Sequence, residues 1–290
     1  TTWDIPYAIV DSASADLGTR FADVNGDGLS DLLRRDDAAS VNKVYMNDGD
    51  GTWTLSSWSI PFELKSADKH PGNLLMDVNG DGRADILRHK EGGTNQIYIN
   101  NGSGWALSSS TVPVPLSDSA GKDYGVRTAD INGDGLYDLA VKNDFENVNA
   151  VYLNNGLGFV INTLWILPEE TVASTTIDSG TRFADVNGDG LADVVRSNAS
   201  VSKAYLNTGK GFELSAVWKV PTDLTFIDAT GDTGLRMDDV NGDGLLDLIR
   251  NATTTSPNGV WLNTGKGWTL DSSWTVPLAT VDYANQKDVG

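Results

Sequence analysis

Short runs of alternating apolar and polar residues fill the chain, and turn residues separate them. In Val44-Tyr45-Met46, neighbouring side chains of an extended strand would point to opposite faces. The glycine-rich run from Asn47 to Gly51 follows at once, and such runs favour hairpin turns. Apolar residues at helical spacing are not sustained over any useful length. The pattern therefore predicts an all-β chain built from many short strands.

The pattern repeats along the chain at a nearly constant step. The string D-[VI]-N-G-D-G-x-x-D starts at Asp23, Asp77, Asp130, Asp185 and Asp239, with spacings of 54, 53, 55 and 54 residues. The first unit predicts strands at Arg20–Asp23, Asp31–Arg34, around Tyr45, and from Trp53 to Pro61. Four strands per about 40–50 residues are typical of a propeller blade. We therefore predict a β-propeller of five four-stranded antiparallel blades, forming a complete ring or a section of a larger ring or array.

Recurring blade endings set the predicted domain boundaries. We assign the blades to residues 7–61, 62–113, 114–168, 169–221 and 222–277, with 278–290 as a linker toward a further blade. Trp58, Trp165, Trp218 and Trp274 each stand three residues before a proline, whereas the second repeat keeps only Val112-Pro113 there. Residues 1–6 match the outer strand of a preceding blade. Because an unpaired strand edge attracts another strand, we expect association with another protein chain or a neighbouring copy through the termini.

Charge and composition exclude several classes of partner and site. The net charge is −19, with 40 acidic residues against 21 basic ones. Such a surface would repel phosphates, which excludes nucleic acid as a partner. The chain has no cysteine, which excludes disulfides and cysteine-ligated zinc. Because no apolar run approaches the length of about 18 residues that spans a bilayer, we expect no membrane insertion.

Oxygen donors recur at positions 1, 3, 5 and 9 of each repeated string, with the backbone carbonyl of position 7 also available. Hard oxygen donors on a flexible glycine-containing loop suit calcium, which accepts 6–8 oxygens, better than magnesium. We predict about five Ca²⁺ ions, one per blade. The ligands would be Asp23, Asn25, Asp27, Leu29 and Asp31; Asp77, Asn79, Asp81, Arg83 and Asp85; Asp130, Asn132, Asp134, Leu136 and Asp138; Asp185, Asn187, Asp189, Leu191 and Asp193; and Asp239, Asn241, Asp243, Leu245 and Asp247.

Two other interpretations of this string are weaker. An EF-hand needs a glutamate at position 12 on a following helix, but position 12 is Arg34, Arg88, Val141, Arg196 or Arg250. A simple Asx-Gly turn would explain one copy. It does not explain five copies that all keep an aspartate at position 9.

These loops resemble the calcium loops of FG-GAP/VCBS repeats, which form the β-propeller of integrin α chains and of many bacterial surface, toxin and polysaccharide-active proteins. The resemblance implies calcium between the first two strands of each blade, on one face of a ring. No Phe-Gly…Gly-Ala-Pro signature precedes the loops. The trailing turn L-N-[NT]-G-x-G-[WF], as in residues 262–268, is more similar to the bacterial versions.

Polar and aromatic residues repeat outside the loops as well. An aspartate stands four residues before an arginine in four blades, and we predict the ion pairs Asp16–Arg20, Asp123–Arg127, Asp178–Arg182 and Asp232–Arg236. His70 and Leu74 replace this pair in the second blade. We expect Arg20 to lie opposite Arg34 across the first hairpin. Most Trp and Tyr side chains should pack between blades, and exposed turn aromatics are candidates for stacking on sugars: Trp53, Trp105, Phe159, Phe212 and Trp268.

The sequence thus favours a secreted or cell-surface, calcium-stabilised propeller that binds proteins or surfaces in adhesion or assembly, and not an enzyme. A first alternative is a carbohydrate-binding propeller, with a glycan as partner. A second is a polysaccharide lyase or hydrolase of propeller fold. Such an enzyme would need a cluster that breaks the repeat symmetry, and the second repeat offers His70, His89, Lys90 and Glu91.

Overall fold

The structure is a computed structural model that describes residues 5–9, 16–64, 72–173, 177–229, 231–252, 257–276, 281–282 and 287–288. The predictions made for residues 2–4, His70 and Pro277 lie outside this part of the chain. All regular structure in the described residues is β, and none of it is helical. Within the same residues, no helix is long and apolar enough to cross a membrane.

Twenty of the strands form five four-stranded antiparallel blades, which confirms the predicted fold class. The first two blades are β1 (Thr19–Ala22), β2 (Asp31–Asp36), β3 (Val41–Asn47) and β4 (Trp53–Leu55), then β5 (Asn73–Met76), β6 (Asp85–His89), β7 (Asn95–Asn100) and β8 (Trp105–Leu107). The third is β9 (Arg127–Ala129), β10 (Asp138–Asn143), β11 (Val148–Asn154) and β12 (Phe159–Asn162).

Three additional two-stranded hairpins belong to linkers, and the sequence pattern did not predict them. They are β13 (Val172–Ala173) with β14 (Ile177–Asp178), β19 (Ile227–Asp228) with β20 (Gly231–Asp232), and β25 (Val281–Asp282) with β26 (Lys287–Asp288). The remaining two blades are β15 (Thr181–Ala184), β16 (Asp193–Asn198), β17 (Val201–Asn207) and β18 (Phe212–Leu214), then β21 (Leu235–Asp238), β22 (Asp247–Arg250), β23 (Gly259–Asn263) and β24 (Trp268–Asp271).

The register of the first hairpin corrects one expectation. Ala22 pairs with Asp31, so that Arg20 faces Leu33 and Thr19 faces Arg34. Arg20 and Arg34 are therefore offset by one residue and do not oppose each other. The offset follows from the loop length, because the pairing begins immediately on either side of residues 23–30.

The outer strands are shorter than predicted. In the first blade β4 ends at Leu55, although the pattern indicated a strand as far as Pro61. Side-chain hydrogen bonds hold the remaining segment: Ile60 N donates to Asn42 Oδ1 (2.9 Å), and Asn42 Nδ2 donates to Ile60 O (3.0 Å). Asn95 and Asn149 hold Val112 and Leu167 in the same way.

The chain divides into two compact units. The first comprises Thr1–Tyr124, Gly135–Tyr137 and Asn154–Val160, and the second comprises Gly125–Asp134, Asp138–Leu153 and Ile161–Gly290. In the first unit, Val24, Leu33, Val44, Ile60 and Ile86 are fully buried in one core. The second unit contains one core around Ile131 and Trp165 and another around Val195, Trp218 and Phe226. The side chains buried in these cores come mainly from the two middle strands of each blade and from the segment after its outer strand.

Candidate functional site

Each predicted cation loop is folded around the carboxylate at position 1. In the fourth loop Asp185 Oδ1 accepts hydrogen bonds from Gly188 N (2.7 Å) and Asp189 N (3.2 Å), and its Oδ2 accepts from Gly190 N (2.7 Å). Gly188 and Gly190 have φ of 77° and 87°, a conformation that side chains disfavour. The same glycine conformations recur in all five loops.

The polar side chains at positions 3 and 5 complete the outer part of the loop. Asn187 Oδ1 accepts from Asp189 N (3.0 Å), and Asn187 Nδ2 donates to Asp189 Oδ2 (2.9 Å). Asp189 Oδ1 accepts from Leu191 N (2.9 Å). These groups are exposed or half-buried, so that their oxygens lie at the surface.

The aspartate at position 9 is buried beneath the loop. Asp193 Oδ2 accepts from Val186 N (3.0 Å) and its Oδ1 accepts from Asn207 N (2.7 Å). Burial, with a smaller contribution from repulsion by Asp189 and Asp185, raises the pKa of Asp193 to about 6 against the lowering effect of these hydrogen bonds. The pKa of Asp85 is likewise raised to about 6 for the same reasons in the second loop.

The donor chemistry of the loops fits calcium. Each loop carries three carboxylates and one amide oxygen, and repulsion between the carboxylates contributes, after burial, to the raised pKa of Asp85 and Asp193. Among the described residues, no group of three or more acidic or histidine side chains is arranged so that it could hold a metal ion. In the second loop Arg83 Nη2 also contacts Asp81 Oδ2 at 2.6 Å.

In four blades an asparagine connects the blade to the preceding loop, a function that the sequence did not reveal. Its side-chain nitrogen donates to the backbone carbonyl of position 2 in the preceding loop, over distances of 2.7–2.9 Å. The pairs are Asn100–Val24, Asn154–Val78, Asn207–Ile131 and Asn263–Val186. The position-9 aspartate receives the backbone N–H of this asparagine in three of these blades. Each of these four loops is thus tied to the next blade.

The predicted pairs between aspartate and arginine are formed in three blades. In each pair Nη1 donates to Oδ1 and Nη2 donates to Oδ2 of the carboxylate, at 2.6–2.9 Å in Asp16–Arg20 and Asp178–Arg182 and at 2.9–3.0 Å in Asp232–Arg236. The pair Asp123–Arg127 stays a prediction.

The turn aromatics are not the exposed platforms that we expected. Trp53, Trp105, Phe159, Phe212 and Trp268 are all half-buried. Trp105 packs edge-on against Trp58, with ring centroids 5.4 Å apart, and Trp268 packs against Trp218 at the same distance. Stacking of sugars on Trp105 and Trp268 is therefore not supported, because these two rings already serve as contacts between blades.

A buried polar cluster that breaks the repeat lies in the linker and strands of the fourth blade. Glu169 is 7% exposed and accepts from Arg196 Nη1 (2.6 Å), Lys203 Nζ (3.0 Å) and Tyr205 Oη (2.6 Å). All of its partners are donors, as expected for a structural carboxylate. In the second blade no hydrogen bond or ion pair joins the side chains of His89, Lys90 and Glu91, which are all described.

Comparison with known proteins identifies the repeat. The FG-GAP-like repeat family matches residues 23–88, 77–141 and 185–250. Integrin alpha-7 of Mus musculus is 31% identical over 186 residues, covering 59% of this chain and 14% of the integrin. Integrin alpha-4 of Xenopus laevis is 31% identical over 180 residues, covering 54% and 17%. The chain thus spans less than a fifth of these relatives.

Two solved structures share the fold. A lectin from Agrocybe aegerita that recognises non-reducing terminal N-acetylglucosamine aligns with a TM-score of 0.60 and 22% identity, over 86% of this chain and 63% of the lectin. The Tc holotoxin pore of Photorhabdus luminescens aligns with a TM-score of 0.52 and 20% identity, over 90% of this chain and 12% of that chain. Because the family match covers more than half of the sequence and each matched segment contains cation loops, the chain belongs to the FG-GAP-like repeat family.

Proposed function

We propose that this protein is an extracellular, calcium-stabilised propeller module that binds a protein or a surface in adhesion or assembly. The observation that carries the proposal is the fivefold recurrence of one oxygen-donor loop in a chain of the FG-GAP-like repeat family. Five divalent ions would add ten positive charges to a chain of net charge −19. Localisation at the cell surface or outside the cell is part of the proposal, supported by the similarity to integrin α chains.

In each loop, we assign the ion to the carboxylates at positions 1, 5 and 9, the amide oxygen at position 3 and the carbonyl at position 7. The position-9 aspartate would hold the ion against the buried floor, because it is already anchored by two backbone N–H groups in four loops. The ion supplies charge neutralisation and a rigid loop, and partner recognition is assigned to the variable surface segments.

Thermal unfolding with and without calcium tests the cation part. An ion that binds the folded state alone stabilises it by mass action, by about 2.7 kcal/mol per site at 100 times its Kd. We expect a chelator to lower Tm and added calcium to restore it. Asp27→Ala should remove one site of five in calorimetry, whereas the exposed Asp223→Ala, with the same change in charge, should leave five. An unchanged Tm after chelation would contradict structural calcium.

A second candidate function is glycan binding. The alignment with the Agrocybe aegerita lectin supports it, since that protein recognises terminal N-acetylglucosamine and shares the fold over most of this chain. A glycan array probed with the calcium-loaded protein separates the two candidates. Saturable binding to one class of sugars would favour the lectin, and an empty array together with capture of a protein partner would favour adhesion or assembly.

A further inference from the structure

A tryptophan fills the space between consecutive blades at three places. Trp58 meets Trp105 of the next blade edge-on, and Trp218 meets Trp268 likewise, each at 5.4 Å between ring centroids. Trp165 is buried and donates from Nε1 to Asn207 Oδ1 of the next blade at 3.1 Å. An indole at this position is therefore a regular part of the contact between blades.

In the second blade, Ser110 stands at this position. It lies three residues before Pro113, as Trp58 lies three residues before Pro61. The backbone makes the same turn contact in both blades, because Trp58 N donates to Ser56 Oγ and Ser110 N donates to Ser108 Oγ, each at 3.1 Å. The side chain at this turn is a hydroxymethyl group where Trp58 places an indole.

A cavity of about 250 Å³ lies beside Ser110, and we call it the Ser110 slot. Its apolar walls include Val78, Ile97 and Ile99 of the second blade and Leu157 of the 154–160 hairpin. A second cavity of about 260 Å³ shares Ser110 and Leu157 and reaches Phe159. Ser110 Oγ donates to Leu157 O (2.7 Å) where the two cavities meet.

The walls of the Ser110 slot correspond to residues that hold an indole elsewhere. By repeat position, Val78, Ile97 and Ile99 match Val24, Val44 and Met46. In the first blade those residues belong to the core against which Trp58 packs. The slot is therefore the space that a Trp58-like side chain would occupy, which defines the shape of its occupant.

The mouth of the slot is apolar as well. Leu157 is 83% exposed, whereas the matching turn positions in other hairpins carry Ser103, Lys210 and Lys266. An apolar cavity of about 150 Å³ is sufficient to bind benzene. The slot is larger than this, its walls are largely apolar, and its mouth reaches the surface.

We propose that the Ser110 slot binds a planar aromatic ring of indole size, either a free small molecule or an aromatic side chain presented by a partner. The ring would pack on Val78, Ile97 and Ile99 under Leu157, as Trp58 packs in the first blade. This site goes beyond the proposed function, and its binding readout is separate from the effect of calcium on Tm. A failure of one can therefore be distinguished from a failure of the other.

Titration of the calcium-loaded chain with indole, followed by NMR, tests the proposal. We expect one saturable site with a Kd on the order of 1 mM or tighter, given the small size of the probe. Ser110→Trp should abolish binding and raise Tm, while Ser109→Trp at the neighbouring exposed position should leave binding unchanged. Trp58→Ser should create a second indole site in the gap between the first two blades.

Two further arms complete the test. N-acetyltryptophanamide that binds as well as indole identifies a side chain as the occupant, and binding of indole alone identifies a small molecule. Leu157→Ser, at an exposed position that does not threaten folding, should weaken indole binding several-fold. Absence of saturation in the unmodified chain overturns the proposal. Indole binding that persists in both Ser110→Trp and Leu157→Ser also overturns it. So does binding of N-acetylglucosamine at the Ser110 slot that indole does not displace.

Discussion

Glu169 occupies the position that Phe62 and Tyr7 occupy in earlier linkers, each directly after a proline. Phe62 packs on Tyr98 at 5.8 Å between ring centroids and lies under the Arg88 guanidinium at 4.7 Å. Tyr7 makes the corresponding contacts with Tyr45 and Arg34. In the fourth blade the matching residues Tyr205 and Arg196 bind a carboxylate. One substitution thus converts a ring contact into a buried ion cluster.

Removing the charge of Glu169 should make the free energy of unfolding depend less on pH in the acid range. Burial raises the pKa of Glu169, but donation from Tyr205, Lys203 and Arg196 outweighs it and leaves the pKa below its ordinary value. A depressed pKa contributes stability that is present above the unfolded value of about 4.3 and is lost as pH falls through the folded value. We expect Glu169→Gln to cost about 1–3 kcal/mol at pH 7.

Urea unfolding between pH 2.5 and 7 checks this expectation. The difference between Glu169→Gln and the unmodified chain should shrink as pH falls below about 4, since both then carry a neutral group at this position. Glu213→Gln, at an exposed position, is the matched control and should follow the unmodified chain. A pH-independent cost of Glu169→Gln would refute the assigned role of the charge.

Substitution of Gly180 tests how closely the linker packs on the fourth blade. A Cβ there would lie 2.4 Å from Ser197 O and 3.0 Å from Ile227 Cγ1, and φ is 77°. Gly209 has a similar φ of 72° and only one neighbour within 4 Å, at 3.9 Å. Both alanine variants carry the backbone strain of about 1–2 kcal/mol, and Gly180→Ala should cost about 1–3 kcal/mol more through overpacking. Equal unfolding free energies for the two variants would disprove the close contact.

At the scale of the strand, the asparagine at the end of the third strand determines whether a blade is hydrogen-bonded to the preceding loop. Asn207 is buried, donates to Ile131 O of the preceding loop (2.7 Å) and to Ala192 O (3.2 Å), and accepts from Trp165 Nε1 (3.1 Å). In the first blade Asn47 is half-buried and donates to Ser30 O of its own blade at 3.2 Å. The same residue type therefore connects two blades in one place and closes a loop within one blade in the other.

This difference gives a matched pair of variants. Asn207→Ala leaves buried carbonyl and indole groups without partners, and we expect it to cost about 2–3 kcal/mol. Asn47→Ala removes a partly exposed bond within one blade and should cost less than about 1 kcal/mol. Chemical denaturation of the two variants measures the difference. If Asn47→Ala is as damaging as Asn207→Ala, then Asn47 has a contact in solution equivalent to that of Asn207.

The elements that the sequence could predict are those encoded locally. The loops, the four strands of each blade and the donor positions follow from turn residues and alternation within about 40 residues. The linker hairpins could not be predicted because each strand has only two residues, and β19 pairs with Asn198 of the preceding blade. The connecting asparagines were visible as a repeated residue, but their acceptors lie 76 or 77 residues away.

The cation loops and the Ser110 slot also differ in how far the sequence predicts them. The cation donors were predicted from spacing alone, and their use by calcium stays a prediction. The missing tryptophan of the second repeat was also visible in the sequence, but its consequence was not. A cavity forms only if the side chains around Ser110 keep the positions that their counterparts have in other blades. If those side chains had shifted toward Ser110, they would have filled the space.

For the whole molecule, the acidic charge should couple stability to ionic strength. At −19 and without calcium, the carboxylates of the loops repel one another, and salt screens this repulsion over about 8–10 Å. Sodium chloride should therefore raise Tm in the presence of a chelator, and raise it less when five calcium ions reduce the net charge to −9. Calorimetric scans at 0.02–0.5 M salt measure both slopes. Equal slopes would show that calcium does not neutralise these loops.

The asparagine contact also bears on how such a protein can change its number of blades during evolution. Every blade brings one donor at the end of its third strand and one acceptor in its loop, in the same order. Duplication or loss of a DNA segment encoding about 54 residues therefore leaves a matching donor and acceptor at the new junction, wherever the breakpoints fall. Recombination can thus add or delete whole repeats and keep this contact, whereas a shift by a fraction of a repeat would separate the asparagine from the carbonyl that it binds.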